Sequence, residues 1–191
     1  MSNVLPIVTY NDAVLREKSM EIKSFDNELT QLIDDMFETM YEAHGVGLAA
    51  PQIGKSIRLF VIDADTMVED DDPDVDKLRV GPTAFINPQI VKMSDVKVPL
   101  DEGCLSLPDL RESVVRPESL VIKYKDRNFN DCELEASGWL ARVIQHEYDH
   151  LEGVLFFDHL GSFRRRLLKG KLDAIASGLV VPEYPVVPKT D

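Results

Sequence analysis

The sequence predicts an α+β protein, in which helices and strands follow one another without regular alternation. Three observations indicate this class: an amphipathic stretch with helical spacing near the N-terminus, a middle part made of short strand-like segments, and two more helical stretches toward the C-terminus. The sequence shows no internal repeat and no linker-like composition shift. We therefore expect a single domain over residues 1–191, with its core at about 5–160.

The first part of the chain is predicted to contain one long helix and one strand. Residues 5–8 have an extended pattern, and Asn11-Asp12 predicts a turn or a helix cap. Apolar residues recur every three or four positions over 26–44, which predicts a helix that ends at the glycines following it. The branched and aromatic run 57–64 predicts a strand.

An acidic segment follows, with seven acids in the twelve residues 65–76. Such a charge density predicts a solvated loop or a disordered insertion. A metal or partner site is the less favoured alternative, because the spacing does not fit an Asp-x-Asp-x-Asp-Gly calcium loop.

The second part of the chain is predicted to form short strands and then two helices. The predicted strands are two short ones within 83–93, one on each side of Asn87-Pro88, another at 95–100, and a hairpin of 118–125 with 132–136. Helical spacing covers 138–151 and 162–178, and the second helix has three arginines near its start. The tail 181–191 carries three prolines and is predicted to be extended or frayed.

Composition excludes several classes of protein. The net charge of −13 disfavours a general nucleic-acid binder, so no DNA partner is expected. No apolar run approaches the ~18 residues of a membrane span. The N-terminus lacks a signal-peptide pattern, and two cysteines cannot make a disulfide-rich scaffold. We therefore expect a cytoplasmic protein.

The segment 145–150 reads QHEYDH and contains His-Glu-x-x-His. On a helix, His146 and His150 lie four residues apart on one face, where both imidazoles can reach one divalent metal. Glu147 follows the first histidine and can accept a proton from a water molecule on that metal. The alternative is two ordinary histidines on a helix.

A catalytic site of this kind usually has a third protein ligand, which the spacing alone leaves open. His44, His159 and many carboxylates are candidates. Cys104, in the segment 101–108 (DEGCLSLP), is the most specific, because a thiolate suits iron or zinc. Taken alone, however, a single cysteine is more often a small buried hydrophobic residue.

The segment 45–54 reads GVGLAAPQIG, and its glycines allow a backbone to approach a ligand closely. Gln52 could offer an amide donor to a developing oxyanion. The segment lacks the Lys-Ser/Thr ending of a phosphate-binding P-loop. The alternative is a helix C-cap followed by a turn.

Together, GVGLAAPQ (45–52), EGCLS (102–106) and QHEYDH (145–150) resemble, in this order, the three signature motifs of the peptide deformylases. The resemblance covers about residues 5–160. It implies antiparallel sheets around a central helix that bears His-Glu-x-x-His, followed by a variable C-terminal helix.

The resemblance also implies the roles of the motif residues. Cys104, His146 and His150 would bind the metal, which is Fe²⁺ in this family, with Zn²⁺, Ni²⁺ or Co²⁺ as substitutes. Glu147 would act as general base and then as proton donor. Gln52 and the backbone N–H of Leu105 would hold the oxyanion.

The implied substrate is the N-formylmethionine of a newly made protein, which is hydrolysed to formate and a free amino terminus. The expected substrate-binding residues are Val46, Gly47, Leu100, Gly103, Arg111, Trp139 and Val143, with Ile144 as a further candidate that is more simply a core residue. The arginine-rich helix is a candidate for transient contact with the ribosome, although a solvated surface helix is the simpler interpretation. A monomer in a bacterial-type cytoplasm is expected.

Two other functions are alternatives to deformylation. A zincin-type peptidase would take a third ligand downstream of the helix, and His159 would favour it. A metal-stabilised adaptor on the ribosome would need neither Glu147 nor Gln52, and both residues are present.

Overall fold

The computed structural model describes residues 2–71 and 74–187, and it confirms the α+β class. The helices in these ranges are α1 (Asn27–Glu42), α2 (Val75–Leu78), α3 (Gly138–Leu151) and α4 (Ser162–Ala176). The strands there are β1 (Ile7–Val8), β2 (Gly47–Ala49), β3 (Leu59–Ile62), β4 (Thr83–Met93), β5 (Lys97–Cys104), β6 (Leu107–Pro117), β7 (Ser119–Lys125), β8 (Asp131–Ser137) and β9 (Val186–Val187). Short 3-10 turns cover Ala13–Arg16, Ala50–Ile53, Asp65–Met67 and Phe156–His159.

The strands form three sheets. An antiparallel sheet has the order β2-β3-β4-β7-β8, and β5 pairs with β6 in a separate antiparallel hairpin. The chain ends meet in a third pair, in which β1 and β9 run parallel.

The predicted strand 57–64 is observed as β3, which is buried on both faces. Leu59 and Val61 pack in the cluster that contains the apolar face of α1, whereas Phe60 and Ile62 pack in the cluster that contains α3. Successive side chains of a strand point to opposite faces, so β3 lies between the two helices.

The helix α1 covers the first of these faces, as the spacing over 26–44 predicted. Asp26 caps its N-terminus, because its carboxylate accepts a hydrogen bond from the Leu29 N–H at 2.8 Å. Ile33, Met36 and Met40 are fully buried against the sheet.

The helix α3 is central, with antiparallel strands on more than one side, as the family resemblance implied. Leu140 and Ile144 pack against the five-stranded sheet. Arg142 points to the hairpin and donates to the Val98 carbonyl of β5 and the Val114 carbonyl of β6, both at 2.7 Å. A helix that packs against other elements on several sides is buried around most of its circumference. Accordingly, ten residues of α3 are buried.

Two strand predictions need correction. Residues 83–93 form one strand instead of two. A register shift between Ile86 and Gln89 accommodates Pro88 without ending the strand. There Asn87 has a φ of 50°, and its side chain bonds the Ile22 N–H and C=O at 2.8 and 2.7 Å. The strand expected at 95–100 continues to Cys104.

The strand β6 was not predicted at all. Leu110, Glu112, Val114 and Arg116 are buried at alternating positions of β6, but two of these four residues are charged. Arg116 pairs with Glu102 inside the protein, and Glu112 pairs with Arg164, whose side chain is partly exposed. The hydrophobic alternation that identifies a strand in sequence is therefore broken at those positions.

The acidic segment and the tail contain more structure than expected. The segment 65–76 contains the turn Asp65–Met67 and the beginning of α2, and Leu78 of α2 packs into the core. The tail is extended at β9, where it pairs with β1. Residues 72–73 and 188–191 lie outside the described ranges.

No helix in the described part of the chain is both long enough and apolar enough to cross a membrane.

We expect Phe60→Ala to lower the free energy of unfolding by about 3–5 kcal/mol, because the change removes a large buried ring and leaves a cavity. The ring is fully buried and stacks on Phe85, with centroids 4.6 Å apart. Urea unfolding measures the loss. Val91→Ala, at a 45% exposed position of β4, serves as the control and should cost less than about 1 kcal/mol. Equal losses in the two variants would contradict the assignment of Phe60 to the core.

Candidate metal centre

Three metal-ligating side chains converge where α3 meets the hairpin. His146 and His150 lie on one face of α3, with ring centroids 5.2 Å apart. Cys104 ends β5, and its Sγ lies 3.3 Å from His150 Nε2. The register shift after Gly103 directs this cysteine out of the regular ladder. One donor atom from each of the three residues falls within 4.8 Å of the other two.

This donor set fits a divalent metal ion. Two imidazoles and one thiolate are ligands that zinc and iron accept, and three protein ligands leave a coordination position open. Burial lowers the pKa of His150 well below its usual range, which keeps its ring neutral and able to coordinate. His159 and His44 lie outside the cluster of donor atoms.

Glu102 holds the first histidine in place. Its Oε2 lies 2.9 Å from His146 Nδ1, so the other ring nitrogen is left as the donor atom toward the cluster. Arg116 Nε and Arg142 Nη1 both donate to Glu102 Oε1 at 2.7 Å. Burial alone would raise the pKa of Glu102, but the hydrogen bonds from His146 and Arg116 outweigh it and hold the pKa well below its usual range.

The network continues from Arg116 to the end of the helix. Arg116 Nη1 donates to Asp149 Oδ2 at 2.6 Å, and His159 Nε2 lies 2.7 Å from the same oxygen. His159 is therefore engaged by a carboxylate, away from the donor cluster, which removes the specific basis for the peptidase interpretation. The sequence shows Glu102 within a motif, but no local pattern assigns a role to Glu102, Arg116 or Arg142. The motif EGCLS, which contains Glu102, was the one sign of this network in the sequence.

Glu147 is buried beside the metal-ligating residues, only 4% exposed. Its Oε2 has no hydrogen-bond partner among the described residues. Burial raises the pKa of Glu147 to about 7. A Cβ added at Gly47 would lie 2.8 Å from both Cγ and Cδ of Glu147 and would overlap its Oε1. Only glycine at position 47 leaves room for this carboxylate.

Gln52 lies in the 3-10 turn after β2 and faces the same cluster. Its Oε1 accepts a hydrogen bond from the Ala49 N–H at 2.8 Å. This bond directs the amide nitrogen toward Cys104 Sγ at 3.5 Å and Ser106 Oγ at 3.4 Å. The backbone N–H of Leu105, next to Cys104, has no protein acceptor within residues 2–71 and 74–187.

A cavity of about 500 Å³ opens onto these groups. Most of the sequence-predicted site residues line it, namely Val46, Gly47, Gln52, Gly103, Cys104, Leu105, Arg111, Trp139, Val143, His146 and Glu147. Leu100 lies on β5 opposite Val114 and outside this lining, so its role in substrate binding stays a prediction. Ile144 is fully buried in the core instead.

Other residues of the cavity wall were not predicted from the sequence. Tyr184, from the C-terminal tail, and Met67, from the acidic segment, both line it. His44, with a φ of 53°, lies in its lining and is exposed. Tyr184 and Met67 lie far in sequence from the recognisable motifs, and no local pattern marks them.

Comparison with known proteins identifies the same family as the motifs do. The family model for polypeptide deformylase matches residues 4–166. Peptide deformylases of Salinibacter ruber and Chlorobium limicola are 47% and 46% identical to this chain over 188 and 184 residues. These matches cover 98% and 96% of this chain and 96% and 95% of the relatives.

Comparison with solved structures identifies the same family. A peptide deformylase from Ehrlichia chaffeensis in complex with actinonin matches with a TM-score of 0.83 and 40% identity, covering 95% of this chain and all of that one. A plant peptide deformylase matches with a TM-score of 0.81 and 39% identity, covering 94% of this chain and 92% of that one. The chain therefore belongs to the polypeptide deformylase family, whose members are metal-dependent hydrolases that remove the formyl group from N-formylmethionyl peptides.

Proposed function

We propose that this chain hydrolyses the N-formyl group of the initiator methionine of newly made proteins, and that residues 1–191 act as one catalytic domain. The observation that carries the proposal is the convergence of Cys104, His146 and His150, two of which, Cys104 and His146, line one cavity together with the buried Glu147. The products are formate and a free amino terminus.

Cys104, His146 and His150 would hold the metal, which we propose to be Fe²⁺, with Zn²⁺, Ni²⁺ or Co²⁺ able to replace it. A thiolate with two imidazoles is a borderline-soft donor set that suits all four ions. When bound, the metal supplies Lewis-acid chemistry, which polarises the formyl carbonyl and makes a water molecule more acidic.

Glu147 moves the proton. Glu147 lines the same cavity as Cys104 and His146, and its partnerless oxygen can accept a proton from the attacking water. The water oxygen bonds to the formyl carbon and the C–N bond breaks. Glu147 then gives the proton to the leaving amine, so that the amine departs neutral and Glu147 returns to its starting charge.

Gln52 and Leu105 would stabilise the oxyanion that develops on the formyl oxygen. The side-chain amide of Gln52 is already oriented by the Ala49 N–H, and the Leu105 N–H is free to donate. Donors fixed before the reaction stabilise the developing charge without reorganising, and one such donor is worth about 3 kcal/mol.

The remaining cavity residues would bind the peptide. Val46, Trp139 and Val143 offer an apolar wall for the methionine side chain. Gly47, on the edge strand β2, and Gly103 both line the cavity, where an extended peptide could bond to their backbone. Arg111 lies beside Gly103.

The C-terminal helix supports a transient ribosome contact. Arg165, Arg166 and Lys169 of α4 line one shallow surface groove, which could bind phosphate oxygens of ribosomal RNA. Arg164 is instead paired with Glu112 of β6. We propose that the protein acts as a monomer in a bacterial-type cytoplasm, where formylated chains emerge, and that it has no DNA partner.

We expect Glu147→Gln to lower kcat at least about 10³-fold, because the amide cannot carry the proton. Formate release from formyl-Met-Ala-Ser, by protein prepared anaerobically with ferrous iron, measures the loss. The variant should keep its metal, and Glu133→Gln on β8 should retain full activity. A Glu147→Gln enzyme with more than a tenth of the normal kcat would contradict the assignment.

We expect Cys104→Ser to lose most of its bound metal and its activity, because an alcohol is a far poorer ligand than a thiolate. Metal content is measured by atomic emission on protein loaded with Fe²⁺ or Zn²⁺. The other cysteine provides a matched control, since Cys132 lies on β8 and outside the donor cluster. If Cys132→Ser lost metal equally, or if Cys104→Ser kept it, the ligand set would be wrong.

We expect Gly47→Ala to lower kcat by at least about 10²-fold with little loss of metal. The added methyl group displaces the Glu147 carboxylate, and misplacement of a reacting group by about 1 Å costs that much. Gly170→Ala in α4 meets nothing within 4 Å and serves as the control, with unchanged kcat. A fully active Gly47→Ala enzyme would show that Glu147 does not depend on this space.

A further inference from the structure

The turn between β5 and β6 is held by both ends of the chain. This turn consists of Leu105 and Ser106. The backbone N–H of Tyr10, near the N-terminus, donates to the Ser106 carbonyl at 3.0 Å. The hydroxyl of Tyr184, near the C-terminus, donates to the Leu105 carbonyl at 2.8 Å.

The two holding segments are themselves joined. β1 pairs with β9 in the register Ile7 with Val186, and the Ile7 N–H donates to the Pro185 carbonyl at 2.9 Å. Tyr184 therefore enters the site from a segment whose position is set by backbone pairing. The ring of Tyr184 is half-buried and lines the cavity, and it packs against the same apolar cluster as Leu105.

The hydroxyl of Tyr184 is the one donor to the Leu105 carbonyl that residues 2–71 and 74–187 provide. The N–H and the C=O of a residue are linked only through its two backbone dihedral angles. Cys104, on one side of Leu105, is held by its pairing with Leu107. A bond that restrains the Leu105 carbonyl, on the other side, therefore limits rotation about both angles and with it the direction of the N–H. The side chain of Leu105 lies close to Gly45, where an added Cβ would be 2.9 Å from its Cδ1.

We propose that Tyr184 is a positioning residue for the deformylation reaction. Its hydroxyl fixes the Leu105 peptide so that the Leu105 N–H points at the developing oxyanion. This inference rests on the oxyanion role proposed above for Leu105. Tyr184 lies beyond residues 4–166, which the family model matches, so the C-terminal segment 182–187 becomes part of the catalytic machinery.

The test is Tyr184→Phe, which removes the hydroxyl and keeps the ring. We expect kcat for formyl-Met-Ala-Ser to fall roughly 5- to 20-fold. A misdirected Leu105 N–H would stabilise the oxyanion less well, and this charge develops mainly in the transition state. KM should stay within about twofold, since the ground-state contacts are kept. Metal content and Tm should match those of the unaltered protein.

Tyr10→Phe is the matched control. Tyr10 holds the same turn through its backbone, which the substitution retains, and no protein partner of its hydroxyl is found in the described residues. Its kcat should be unchanged. A second readout is the ¹⁵N and ¹H shift of the Leu105 amide in the Zn²⁺-loaded protein, which should move in Tyr184→Phe and stay fixed in Tyr10→Phe.

Several results would overturn the inference. An unchanged kcat in Tyr184→Phe, with the unaltered protein active and Glu147→Gln inactive, rejects the role of Tyr184 and leaves the proposed function standing. A loss of kcat that only follows a loss of Tm or of metal shows a purely structural role. If Tyr184→Phe does not fold, a low ¹⁵N order parameter of the Leu105 amide in the unaltered protein, which would show an unrestrained peptide, rejects the proposal. No formate release by the unaltered, metal-loaded protein rejects the proposed function and the inference together.

Discussion

The candidate site depends on one buried carboxylate, that of Glu102. A buried charge is costly unless it is paired and hydrogen-bonded, and Glu102 is bonded to His146, Arg116 and Arg142 at once. These partners come from β6 and α3, whereas Glu102 itself lies on β5, two residues before Cys104. The carboxylate thus joins the strand that carries the thiol to the helix that carries the imidazoles. The relative position of the three metal-ligating atoms follows from this junction.

Close packing determines what surrounds that junction. The fully buried strand β3 separates the apolar faces of α1 and α3, so the helix with the two histidines lies against a rigid sheet. On its other side, Arg142 bonds two carbonyls of the hairpin. Glu147 occupies the remaining gap, at a depth where Gly47 leaves just enough space. A buried carboxylate with an unpartnered oxygen is unfavourable for folding, and such groups are concentrated where chemistry requires them.

The ends of the chain complete the cavity wall. Neither β1 nor β9 is long enough to be stable alone, but together they bracket the turn that follows Cys104. The family motifs form the centre of the site, and the two termini set the orientation of the loop beside it. The cavity therefore combines residues from nearly the whole length of the chain, from Ala43 to Tyr184.

The sequence by itself determined the α+β class, the helix over 138–151 and the family, because these rest on local spacing. Residues four apart on a helix share a face, as His146 and His150 do. Three ordered motifs identify a family without any knowledge of contacts. The strand 57–64 was visible for the same reason, since both of its faces are apolar.

Only the tertiary structure decided which distant groups meet. The inward positions of β6 carry Glu112 and Arg116, whose charges are balanced by partners far away in sequence, so its pattern did not predict a strand. Leu100, on β5 opposite Val114, is not among the residues that line the cavity. Tyr184, which no local pattern marked, lines it because β9 pairs with β1. Local periodicity records which side of an element is buried, whereas register and long-range pairing decide what that side faces.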